Sequence, residues 1–133
     1  MASILALDVG TKRVGIAAAD TVVPIAMPLV TLDVDGTEFD VIRSLINDRG
    51  VNTVVVGYPR NQAGDPTEQT TLTENFVTQL KGAADIVYQD ESLTSVMAEE
   101  KLKSSGKPYE KADIDALAAA LILQDYLETH HAA

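Results

Sequence analysis

Three acidic residues interrupt or border apolar elements where an aliphatic side chain would be the ordinary choice. Asp8 breaks the run ILALDVG, Glu91 follows DIVYQ and Asp90, and Asp115 lies in IDALAAALIL. The last run is apolar almost all the way round, as a buried helix is, and Asp115 shares a face with Ala118, Ala119 and Ile122. A carboxylate withdrawn from water is costly unless it is paired. Three that converge would repel one another, and hard oxygen donors suit Mg²⁺ or Mn²⁺ as the offsetting charge. Two such ions would support an in-line phosphoryl displacement. The chain has no cysteine, and His130 and His131 fall in its tail, which argues against zinc.

Each acidic residue also has a plainer reading. Asp8 would cap the next turn through the amides of Thr11 or Lys12, and Asp90 and Glu91 would cap a helix. Asp115 would be a first-turn carboxylate favoured by the helix dipole. With 20 acidic residues in the chain, only position carries weight. If its strand continued, Asp90 and Glu91 would face opposite sides. Asp113, roughly 200° around the helix from Asp115, is expected to be exposed.

A phosphate contact is expected beside Asp8. Gly10 and Thr11 form a tight turn whose amides and hydroxyl could face an anion, and Lys12 and Arg13 add charge there. The formal net charge of −10 repels a polyanion, so any nucleic acid must dock locally. Lys101, Lys103, Lys107 and Lys111 are either a second basic group or the solvated faces of helices.

The elements that must position these groups are legible from patterning. SILALDV (3–9) and VGIAAAD (14–20) read as a hairpin, and 24–32 as a third strand that Pro24 and Pro28 confine to an edge or a bulge. A helix from Thr37 to Arg49 presents Val41, Ile42, Leu45 and Ile46, and Gly50 ends it. VNTVVV (51–56) is a buried strand, GYPRNQAGDP is turn chemistry, and Leu72, Phe76 and Leu80 mark a second helix. A strand at 85–89 and helices at Thr94–Ser105 and Lys111–Glu128 follow. The expected architecture is one α/β domain over 1–133, a mixed sheet covered by helices. No segment approaches the roughly 20 apolar residues that cross a bilayer, and no secretory signal is evident at the N-terminus, so a soluble cytoplasmic protein is expected.

In order and spacing, LALDVGTKRVGIAAAD (5–20), VVVGYPRNQAG (54–64), YQDESLTSVMAEEKL (88–102) and DIDALAAALILQDYL (113–127) resemble the YqgF/RuvX family. The resemblance implies an RNase H-like fold, with three antiparallel strands and then parallel ones. It implies a metal-dependent nuclease acting in maturation of the 16S rRNA precursor, with Holliday junction resolution as the alternative. Asp8, Glu91 and Asp115 would be the catalytic, metal-binding carboxylates for Mg²⁺ or Mn²⁺. Gly57, Pro59, Asn61 and Gly64 match the family's loop, a backbone or substrate-positioning element. Partners would be pre-rRNA ahead of branched DNA, and ribosomal assembly intermediates, with the chain a monomer or weak homodimer. One departure is Ser92, where the family usually has Arg after the Asp-Glu pair. Arg60, where apolar residues are common, could restore charge there. Two rival readings are a phosphate-loop ATPase of the actin type, for which 133 residues give only one lobe, and a non-catalytic rRNA-binding module.

Overall fold

The computed structural model describes residues 3–20, 22–23, 25–59, 67–91 and 94–130, apart from the side chains of Pro59, Asp90, Glu91, Thr94 to Met97 and His130. Among the described residues nine elements follow in the order β1 (Ser3–Val9), β2 (Arg13–Asp20), β3 (Met27–Asp33), α1 (Glu38–Arg49), β4 (Val51–Pro59), α2 (Glu68–Thr78), β5 (Asp85–Glu91), α3 (Thr94–Ser104) and α4 (Lys111–His130). The strands form one sheet in the order β3-β2-β1-β4-β5. β1, β2 and β3 pair antiparallel, whereas β4 lies parallel to both β1 and β5.

Period-two alternation divides β1 and β2 between two cores. Leu5, Leu7, Val9, Val14, Ile16 and Ala18 face Ile42 and Ile46 of α1 and Phe76 and Val77 of α2. Ile4, Ala6, Ala17 and Ala19 face Ala119, Ala120, Ile122, Leu123, Tyr126 and Leu127 of α4. The long apolar helix is thus buried along one side of the sheet. Among the described residues, no helix is long and apolar enough to cross a membrane.

β3 lies at the edge of the sheet, and the register slips between Ile16 and Ala17, opposite Val30 and Pro28. Pro28 therefore has both the edge and the irregularity that its missing N–H requires; Pro24 lies outside the described residues. Gly50 ends α1 at φ 62°, and its amide donates to the carbonyls of Ile46 and Asn47.

Three expectations need correction. Val41 of α1 is 38% exposed: the buried stripe is Glu38, Ile42 and Ile46 at spacing four, with Leu45 only partly covered. Gly57, Tyr58 and Pro59 are strand rather than turn, because β5 continues beside them in the pairs Gly57↔Gln89, Tyr58↔Asp90 and Pro59↔Glu91. Among the described residues β1 pairs with β4 only as far as Val56, so Pro59 lies beyond that ladder, where proline is tolerated. Asp90 and Glu91 accordingly end the strand rather than follow it.

Candidate active site

Asp8 belongs to the α4 side of the sheet, since Ile4 and Ala6, four and two residues before it, face that helix. Its partner across the hairpin is Gly15. A Cβ built on Gly15 would fall 2.0 Å from the Asp115 carbonyl oxygen and 2.9 Å from the Ala116 nitrogen. Only a residue without a side chain lets the backbone of α4 lie against β2 there. Asp8, Gly15 and Asp115 are therefore stacked from sheet to helix at the end of β1. The isolated glycine inside the apolar strand RVGIAAAD is the sequence signal of such a close approach.

The opening of α4 is pinned above β2 and β3. The Thr31 hydroxyl donates to the Ala112 carbonyl at 2.6 Å, and Arg13 Nε donates to Asp115 Oδ2 at 2.5 Å. That ion pair is part-buried, with side-chain exposures of 32% for Arg13 and 22% for Asp115. Asp113 is exposed, and it accepts the Glu110 amide at 2.9 Å. The end-of-helix role thus falls to Asp113, and Asp115 looks inward as its apolar face requires.

The Gly10 amide donates to the Arg13 carbonyl at 2.9 Å, closing the hairpin. It is spent within the turn rather than offered to an anion. Thr11 and Lys12 are exposed beside it, and the Lys12 carbonyl accepts the Val34 amide. The Gln69 amide group donates to the Val9 carbonyl at 2.6 Å, tying the start of α2 to the end of β1. A cavity of about 520 Å³ opens between Thr11 and Thr67, Glu68, Gln69 and Leu72. Neither Gln69 nor this cavity was expected. The start of α2 is a capping box made by Thr67 and Thr70, without the Glu or Gln that usually marks one in sequence.

Glu91 is the last residue of β5, and its carboxylate lies outside the described side chains, as do Arg60, Asn61, Gly64 and Ser92. Among the described residues, no group of three His, Cys, Asp or Glu is placed to hold a metal. Asp8 and Asp115 are two hard oxygen donors on one side of the sheet, a set that fits Mg²⁺ or Mn²⁺ and leaves a third donor to be supplied. Lys101, Lys103, Lys107 and Lys111 are all exposed, and Lys103 pairs with Glu99 of its own helix at 3.2 Å. They are solvated faces. The Glu99 carboxylate raises the pKa of the Lys103 ammonium.

The five-stranded mixed sheet in the order β3-β2-β1-β4-β5, with α1 and α2 on one side and α4 across the other, is an RNase H-like fold. It superposes on Thermus thermophilus RuvC in complex with a Holliday junction substrate with a TM-score of 0.59 at 13% identity, covering 97% of this chain and 96% of that one. A second Thermus thermophilus RuvC structure gives 0.54 at 12% identity, covering 97% of each chain. Residues 2–129 match the family described as "RuvX: Holliday junction resolvase", and the chain belongs to that family. A Chloroflexus aurantiacus relative is 43% identical over 131 residues, covering 94% of this chain and 86% of its own, and bears the name "Putative pre-16S rRNA nuclease". A Lactococcus lactis relative with the same name is 38% identical over 137 residues, covering 97% and 96%.

Proposed function

We propose that this chain is a metal-dependent nuclease that hydrolyses phosphodiester bonds in the precursor of 16S rRNA. The observation that carries this reading is the stacking of Asp8 and Asp115 around Gly15. The names borne by its relatives support the substrate. Asp8 and Asp115, with Glu91, hold a pair of divalent cations, Mg²⁺ or Mn²⁺. Gln89, two residues before Glu91, donates to Asp125 of α4, and that even spacing supports assigning Glu91 to the same side. Bound there, the cations supply Lewis acidity toward a phosphodiester and make a nearby water more acidic.

The chain's own groups do the rest. The carboxylates hold cations against the net charge of −10, which makes the site locally receptive to a polyanion. Thr11, Lys12 and Arg13 border it at the hairpin turn, and the family resemblance adds Arg60 and Asn61 as further substrate contacts. The protein would work in the cytoplasm, on rRNA precursor alone or within assembly intermediates.

Holliday junction cleavage is the second reading, favoured by the family's description and by the RuvC complex. Purified protein incubated with labelled rRNA precursor and with a four-way DNA junction, in Mg²⁺, Mn²⁺ or EDTA, separates the two. We expect the precursor to be cut in metal only, with Asp8→Asn losing more than about 100-fold, beyond the cost of losing an outer-shell partner. Cutting of the junction alone would move the assignment to DNA. Binding without cleavage in every metal would overturn the nuclease reading in favour of a binding module.

A further inference from the structure

The Arg13–Asp115 contact joins two groups to which the proposed function gives opposite duties, one toward substrate phosphate and one toward metal. Among the described residues it runs through Nε to Oδ2 alone, a single-point contact rather than the stronger two-point fork. With 32% and 22% of the two side chains still open to solvent, the pair is of the kind whose net worth is small. A divalent cation carries twice the charge of the guanidinium and competes for the same oxygen.

The Arg13 backbone is fixed: its carbonyl accepts the Gly10 amide, and it sits opposite Asp33 in the sheet. Only the side chain can move. Released from Asp115, the guanidinium would remain next to the exposed Thr11 and Lys12 at the rim of the site.

We propose that Arg13 is a built-in stand-in cation: it neutralises Asp115 until a divalent ion binds, and is then passed to a substrate phosphate. Metal loading and nucleic-acid binding are thereby coupled through one side chain. This rests on the metal-site reading given above, and deepens it. The chain avoids leaving Asp115 as an uncompensated part-buried charge when metal is absent, and offers its full positive charge to nucleic acid only when metal is present.

The test uses the full chain and two readouts besides activity. The first is calorimetric titration of wild type, Arg13→Gln, Asp8→Asn and Asp115→Asn with Mn²⁺ alone. The second is binding of a labelled single-stranded RNA in EDTA and in Ca²⁺, which takes the same kind of oxygen ligands. Arg13→Gln is expected to bind Mn²⁺ roughly 5- to 10-fold more tightly than wild type. It should lose little RNA affinity in EDTA and clearly more in Ca²⁺, with a salt slope in Ca²⁺ lower by about one. In wild type, the NMR signal of Arg13 Nε–H should shift as Mg²⁺ is added, a readout free of any folding defect in the variant.

Unchanged or weaker Mn²⁺ binding by Arg13→Gln, with the site lost in Asp115→Asn, would overturn the exchange and leave the metal site standing. Equal loss of RNA affinity in EDTA and in Ca²⁺ would make Arg13 a constant phosphate contact, which also contradicts it. Mn²⁺ binding that neither Asp8→Asn nor Asp115→Asn alters would remove the metal reading and this proposal together.

Discussion

On one side of the sheet Leu5, Leu7, Val14 and Ile16 meet Ile42, Phe76 and Leu80; on the other Ala6, Ala17 and Ala19 meet Ala119 and Ala120. The first side fills its space with large side chains under two short helices. On the second, β1 and β2 contribute mostly alanine under one long helix, and at Gly15 no side chain at all. Bulk favours stability, because each large buried side chain removes much apolar surface from water. Smallness favours nearness, because it lets a helix backbone, and the carboxylate it carries, lie against a strand that carries another. The candidate site stands at the end of the alanine side for that reason.

Substitutions that exchange the properties of the two sides should separate stability from function. Leu7→Ala, on the bulky side, is expected to cost about 3 kcal/mol, seen as a lower midpoint in chemical denaturation, with the metal affinity of the folded fraction retained. Gly15→Ala should cost about 2 kcal/mol, since the new Cβ meets backbone that must shift. Unlike Leu7→Ala, it should weaken Mn²⁺ binding measured under fully folded conditions. Asp115→Asn should change stability in EDTA by less than about 1 kcal/mol, because the pair it alters is only part-buried, while abolishing Mn²⁺ binding. If Leu7→Ala impaired metal binding as much as Gly15→Ala, the division of labour between the two sides would be wrong.

Much of this was legible in the sequence, and what was not has a physical reason. The apolar run around Asp115 gave away a buried helix and an inward carboxylate, because a helix buried on most of its surface must be apolar nearly all round. Pro28 announced an edge or a bulge, since proline cannot serve an inner ladder, and β3 has both. The β1–β2 hairpin was legible, but how far β4 and β5 pair was not. Gly57, Tyr58 and Pro59 have the composition of a turn, and only the neighbouring β5, with Tyr88 set edge-on to Tyr58 at 4.8 Å, holds them extended. The Arg13–Asp115 pair spans 102 residues of sequence, and no local pattern reports so distant a partner. The basic character of Arg13 pointed to phosphate; the fold gave it a carboxylate as well. In α1 the helical period allowed a broad apolar face, but packing on the sheet buried only Glu38, Ile42 and Ile46 and partly covered Phe39 and Leu45, leaving Val41 outside.

The central claim is that residues 8, 91 and 115 share divalent cations in one pocket. Crystals grown from the full chain and soaked in Mn²⁺ would test it through anomalous scattering. We expect metal peaks within about 2.5 Å of carboxylate oxygens of all three residues. Manganese bound elsewhere on the acidic surface, with Asp115 still held by Arg13 and Glu91 turned to solvent, would contradict it.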